Sequence, residues 1–197
     1  MSDQRLGDQG YMSTRVLRLA GAFAALTLLS LAVPLPYVNE LRNTGVEAAQ
    51  PQACDANPKP ANLNFVLKDA AGKDFNLASQ KGKVILLDFW ATWCPPCKVE
   101  IPWFVEFQQK YGPQGFIVIG VSVDDPPAKL KPFGDQYKVN YPLLVGEGRN
   151  DIKGPRGYNA AWGLPKTFVI GRDGRICRTH VGLSVKEHFE QQIKSLL

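Results

Sequence analysis

The sequence predicts an α/β protein: a central mixed sheet flanked by helices and preceded by one N-terminal transmembrane helix. Two features carry the sheet and its helices. Residues 84–90 (Val-Ile-Leu-Leu-Asp-Phe-Trp) and 116–123 (Phe-Ile-Val-Ile-Gly-Val-Ser-Val) are near-continuous apolar runs, the pattern of strands buried on both faces. A helix-length segment separates them, as in a parallel strand–helix–strand unit. The third feature lies at the N-terminus, where residues 19–38 carry no formal charge.

Residues 1–18 read as a polar tail. The uncharged stretch after them is most apolar over residues 19–33, about 22 Å long as a helix and somewhat short of a hydrocarbon core. No polar face recurs at helical spacing, which disfavours a buried soluble helix. Pro34 and Pro36 interrupt the run and no small-residue cleavage site follows, so an anchor is favoured over a cleaved signal segment. Arg5, Arg15 and Arg18 precede it, and only Arg42 follows within twenty residues. The positive-inside rule then keeps the tail in the cytoplasm and exports the domain. Residues 39–62, rich in Pro, Ala, Asn and Gln, read as a linker. The folded domain is expected over residues 63–197.

Within that domain, residues 64–77 predict a hairpin turning at Ala70 to Lys73. The strand 84–90 follows, then a helix from Cys94 to Tyr111 with Pro102 in its interior, where a proline removes a backbone hydrogen bond and kinks the helix. After the strand beginning at Phe116, residues 124–127 open a helix running to about Val139. A short strand is expected at 143–145 and a weak, glycine-interrupted helix over 151–162. Residues 166–181 read as a hairpin around Arg172-Asp173-Gly174. Ser184 and Glu187 predict a capping box for a last helix over 185–196.

The chemistry is concentrated in Trp93-Cys94-Pro95-Pro96-Cys97. Two thiols two residues apart close into a disulfide with little backbone movement. At a strand-to-helix junction the first sulfur meets the helix N-terminus, whose free N–H groups and dipole favour a thiolate. Cys94 is therefore the expected nucleophile and Cys97 the resolving thiol. Trp90, Trp93 and Pro96 are candidates for an apolar rim, with core packing the default for Trp90 and Trp93 the better surface candidate. In an oxidising compartment the remaining pair, Cys54 and Cys177, is favoured as a structural bridge over two free thiols.

Composition narrows the alternatives. Of the 197 residues, 45% are hydrophobic and 21% charged, which excludes disorder throughout. A net charge of +5 without any Lys/Arg cluster gives no nucleic-acid groove. His180 and His188 stand at no metal-ligand spacing from the cysteines, so no metal is expected, nor any other cofactor. Haem attachment needs a histidine after the second cysteine, where Lys98 stands. A peroxidase would carry Thr or Ser three residues before its cysteine, where Ala91 stands.

Residues 87–98 (Leu-Asp-Phe-Trp-Ala-Thr-Trp-Cys-Pro-Pro-Cys-Lys) and 162–170 (Trp-Gly-Leu-Pro-Lys-Thr-Phe-Val-Ile) resemble the thioredoxin superfamily. They are most similar to its membrane-anchored, TlpA/ResA-like thiol-disulfide oxidoreductases. The resemblance covers residues 63–197 and implies a thioredoxin-like fold. Pro102 falls where that family kinks its active-site helix. The resemblance implies that Pro165 is cis and faces the disulfide, and that the backbone of Leu164 pairs with an extended substrate. Asp88 matches the buried acid of thioredoxins, which would exchange a proton with Cys97; a structural acceptor is the other reading. The chain departs from thioredoxin in lacking a basic partner on the neighbouring strand, where Gly120 stands. Glu100 matches an acidic position of the ResA-like group, as a member of the redox pocket or as a first-turn acid favoured by the helix dipole.

The resemblance further implies a reductant of exported proteins with oxidised cysteine pairs, such as apocytochrome c or copper-site assembly factors. A transmembrane thiol-electron carrier would supply it with electrons. A binding or chaperone protein without turnover, and a disulfide oxidant, are the rival readings. The absence of histidine between the cysteines speaks against the strongly oxidising arrangement.

Overall fold

Seven consecutive buried residues at the middle of the sheet account for much of the architecture in the computed structural model, which describes residues 54–154, 156–160 and 162–197. In chain order the strands and helices begin with β1 (Lys59–Pro60), β2 (Val66–Lys68), β3 (Asp74–Asn76) and β4 (Val84–Trp90). Then come α1 (Pro95–Tyr111), β5 (Phe116–Ser122), α2 (Pro127–Tyr137) and β6 (Leu143–Val145). The last are α3 (Asn150–Lys153), β7 (Lys166–Ile170), β8 (Arg175–Val181) and α4 (Lys186–Leu196).

The main sheet has six strands in the order β1-β8-β7-β4-β5-β6, and β2 and β3 form a separate hairpin. β4 runs parallel to β5, with Asp88 opposite Gly120, and antiparallel to β7, with Asp88 opposite Thr167. The sheet is therefore mixed, as expected. β4 is buried at every position because it has a strand on each side and covered faces. Phe104 of α1 meets Phe189 of α4 edge-on, ring centroids 5.3 Å apart. Phe133 of α2 meets Trp90 at the end of β4 at 4.6 Å. Each such fully buried side chain contributes about 1.5–3 kcal/mol relative to exposure.

The two hairpins turn where expected. Asp69 closes the first, its Oδ1 accepting from the N–H groups of Ala71 and Lys73 at 2.9 Å each. In the second, Asp173 Oδ1 accepts from Arg175 N–H at 3.0 Å and Gly174 takes φ +78°, a region open to glycine.

Other expectations need correction. The capping box at Ser184 and Glu187 does not form: Val185 is the N-cap of α4 and no side chain caps it. The Ser184 N–H donates instead to Glu100 Oε1. The helix expected over 151–162 stops at Lys153. Gly154 and Gly157 fold the chain back, and a Cβ at either would lie 2.4 Å and 2.0 Å from the carbonyl oxygens of Asn150 and Ile152. Tyr158 N–H then donates to Ile152 O at 2.7 Å.

Part of the expected 39–62 linker belongs to the folded body. Cys54 is disulfide-bonded to Cys177 on β8, and β1 pairs antiparallel with β8. A two-residue strand ending in proline carries no periodicity, and proline is tolerated there because the strand is at an edge. The tail 1–18 and the transmembrane helix expected over 19–38 lie outside the described residues. Among the described residues no helix is long and apolar enough to cross a membrane.

Candidate redox site

β4 ends at Trp90, and four residues, 91–94, lead into α1. Cys94 is the N-cap residue of α1, in extended conformation, and Pro95 and Pro96 occupy its first turn. Proline costs no intrahelical hydrogen bond there. Cys94 and Cys97 are joined as a disulfide with Cα atoms 5.4 Å apart, and the Cys97 N–H points at Cys94 Sγ, 3.3 Å away. Both are buried, at 2% and 1% exposure. They differ in what they face. A groove of about 530 Å³, lined by Trp93, Cys94, Pro96, Trp162 and Leu164 among others, reaches Cys94 and not Cys97.

Trp162, Gly163 and Leu164, in the segment before β7, line the same groove. The Leu164–Pro165 peptide is cis, and Pro165 O accepts from Gly182 N–H at 2.8 Å. Structure therefore gathers Trp93, Cys94, Pro96 and Leu164 into one groove, with Pro165 adjoining it in the chain. Cys97 stands behind.

Asp88 is buried in β4, and Thr167 Oγ1 of β7 donates to its Oδ1 at 2.9 Å. Burial, then the negative charge of Glu100, pushes its carboxyl up to about 8, against the pull of the Thr167 bond. Gly120 stands opposite it in place of a basic residue, and a Cβ there would be tight, 3.0 Å from Trp90 Nε1 and 3.1 Å from Leu143 Cδ2. Glu100 lies one helical turn beyond Cys97 and is also buried, so it is not a solvated first-turn acid. Its Oε1 accepts from Ser184 N–H at 2.8 Å, while Oε2 has no hydrogen-bond partner among the described residues. Burial raises Glu100 to about 7, against the Ser184 bond. Two acids that hold protons near neutrality thus lie in the interior, Asp88 on β4 and Glu100 on the redox helix itself.

One part of the site escaped the sequence reading. Asp125, buried just after β5, accepts from Thr92 N–H at 2.7 Å, Thr92 Oγ1 at 2.6 Å and Ser122 Oγ at 2.7 Å. Burial opposes its charge, yet the Thr92 and Ser122 hydrogen bonds, with Lys129 nearby, hold its carboxyl below the ordinary value. Its neighbour Asp124 accepts from Trp93 Nε1 at 3.0 Å. The Asp124–Asp125 pair therefore ties down the two residues before Cys94. The available signal was an acidic pair directly after a buried strand, where a carboxylate needs donors. His180, by contrast, packs on Phe189 with ring centroids 4.5 Å apart and bonds Gln192 at 2.9 Å.

A mixed sheet, a two-cysteine disulfide at the head of a helix, and a cis-proline directly after a residue of the groove that Cys94 lines define the thioredoxin fold. Residues 59–179 match the AhpC/TSA family. The chain belongs to this family, as a thiol-disulfide oxidoreductase of the ResA and DsbE type. It is 34% identical over 133 residues to the thiol-disulfide oxidoreductase ResA of Bacillus anthracis, covering 68% of this chain and 75% of that one. Among solved structures it is similar to a thiol:disulfide interchange protein of Chlorobium tepidum TLS, at 32% identity and a TM-score of 0.63, covering 72% of this chain and 98% of that one. It is also similar to the exposed lipoprotein thioredoxin of Streptococcus pneumoniae, at 28% identity and a TM-score of 0.53, covering 67% and 98%.

Proposed function

We propose that this protein is a membrane-anchored reductant of disulfides in exported proteins, acting outside the cytoplasm through Cys94 and Cys97. The observation that carries the reading is the asymmetry of the pair: Cys94 lines the groove and caps α1, while Cys97 lies behind it. In the dithiol form the helix N-terminus favours the Cys94 thiolate. This thiolate attacks one sulfur of a partner disulfide, whose other sulfur leaves and takes up a proton. Cys97 then gives its proton to Asp88 in its carboxylate form and attacks the Cys94 sulfur; the bond between Cys94 and the partner breaks, and the partner's second sulfur leaves as a thiol with the proton that Asp88 returns. Two electrons pass to the partner, and Cys94–Cys97 is left as the disulfide.

Trp93, Pro96, Leu164 and Pro165 form the substrate contacts, and Glu100 holds the Asp88 proton by its charge. The uncharged stretch 19–38, flanked by Arg5, Arg15 and Arg18 on one side, supports export of the domain. The resemblance to TlpA/ResA-like proteins points to oxidised apocytochrome c or copper-site assembly factors as targets, and to a transmembrane thiol carrier as the electron source. The test is trapping. Cys97→Ser should accumulate mixed disulfides with exported proteins through Cys94, and Cys94→Ser should accumulate none. A Cys97→Ser protein that traps no partner refutes the assignment. A Cys94–Cys97 potential above that of its trapped partners refutes the reducing direction.

A further inference from the structure

Trp162 is 85% exposed, the highest value among the large apolar side chains described, and Trp93 is 58% exposed. Single exposed apolar residues are ordinary on protein surfaces. These two line the same groove as Cys94. Trp93 is oriented by its hydrogen bond to Asp124. Trp162 has no hydrogen bond or ring contact among the described residues. The apolar rim continues past Trp162: a Cβ on Gly163 would lie 3.1 Å from Val181 Cγ1, and Val181 and Leu183 are both largely exposed. The charge of the groove is equally selective. Among the described residues, its only ionisable lining residue besides Cys94 is Asp124, and no lysine or arginine lines it.

We propose that Trp162 and Trp93 form an aromatic clamp that selects polypeptide substrates with a large apolar side chain next to the target cysteine. This rests on the exchange reading above and adds to it a substrate preference. An extended segment whose cysteine reaches Cys94 brings its neighbouring side chain between the two indoles. Aromatic and large aliphatic side chains gain ring contact and lose water there. Small anionic disulfides such as oxidised glutathione find a carboxylate and no cation to hold theirs.

The test uses the solubilised full-length chain, reduced beforehand, and two peptides differing only in Phe or Ser beside one cysteine. Each cysteine is blocked as a mixed disulfide with 2-mercaptoethanol, and the freed peptide is followed by chromatography. In the single turnover that each reduced chain can make, the native protein should free the Phe peptide about tenfold faster at subsaturating peptide, a difference that shrinks as the peptide concentration is raised. Trp162→Ala should bring that ratio close to one, and Trp162→Phe should keep most of it. A native ratio near one, or a ratio unchanged in Trp162→Ala, overturns the clamp and leaves the exchange reading standing. A native protein that frees neither peptide overturns both.

Discussion

Asp88→Asn isolates the cost of a buried acid. In the native fold Asp88 holds its proton up to about pH 8, whereas the ordinary value is 3.8. Across that window the folded state binds a proton that the unfolded state has released, so stability falls as pH rises. The contribution is complete below 3.8 and lost as pH passes through about 8. At about 1.4 kcal/mol per pH unit, a shift of roughly four units amounts to on the order of 5 kcal/mol. Asparagine never ionises, and its carbonyl still accepts from Thr167 Oγ1. Its amide N–H groups gain no partner identified in the structure, which costs about 1–3 kcal/mol at any pH. The variant should therefore be no more stable than the native protein near pH 4 and more stable by a few kcal/mol near pH 8. The assay is urea unfolding of the oxidised proteins between pH 4 and pH 9. The difference in unfolding free energy should grow by up to about 1.4 kcal/mol per unit and level off above pH 8. A difference independent of pH refutes the raised acid. The same variant tests the proton role: Asp88→Asn should slow resolution of the mixed disulfide and flatten its pH profile, and an unchanged rate and profile refute it.

The remaining predictions concern the groups around this acid and the far end of the sheet. Glu100→Gln keeps the acceptor for Ser184 N–H but removes the charge that helps raise Asp88; the Asp88 titration should move to lower pH by carbon NMR, and an unmoved titration refutes the coupling. Asp125→Ala strands Thr92 N–H and the hydroxyls of Thr92 and Ser122, and should cost about 2–4 kcal/mol in urea unfolding. Asp125→Asn should cost less, and equal losses refute a hydrogen-bonding role. The Cys54–Cys177 bridge spans 123 residues of sequence, so loop-closure entropy predicts a loss of about 5 kcal/mol when both are serine. A loss under about 1 kcal/mol refutes that account.

What was legible in the sequence was local. β4 and β5 announce themselves because a strand buried on both faces must be apolar at almost every position, and the hairpin turns because Asp69 and Gly174 supply turn chemistry within a few residues. The expected capping box failed for the opposite reason: Ser184 satisfies its N–H with Glu100, 84 residues earlier. The helix expected over 151–162 ignored how closely Gly154 and Gly157 approach backbone carbonyls, which spacing alone does not reveal.

The site divides in the same way. The Cys94-Pro-Pro-Cys97 spacing, its junction between a buried strand and a helix, and hence disulfide exchange were determined by the sequence, because they depend on neighbours in the chain. Only tertiary structure decided that Cys94 rather than Cys97 lines the groove, that Glu100 is buried rather than solvated, and that Asp125 fastens the loop before Cys94. It also brought Trp162 to the groove that Trp93 lines. Each depends on removing water around a group and on partners far off in sequence. Desolvation and long-range contact exist only once the chain has folded.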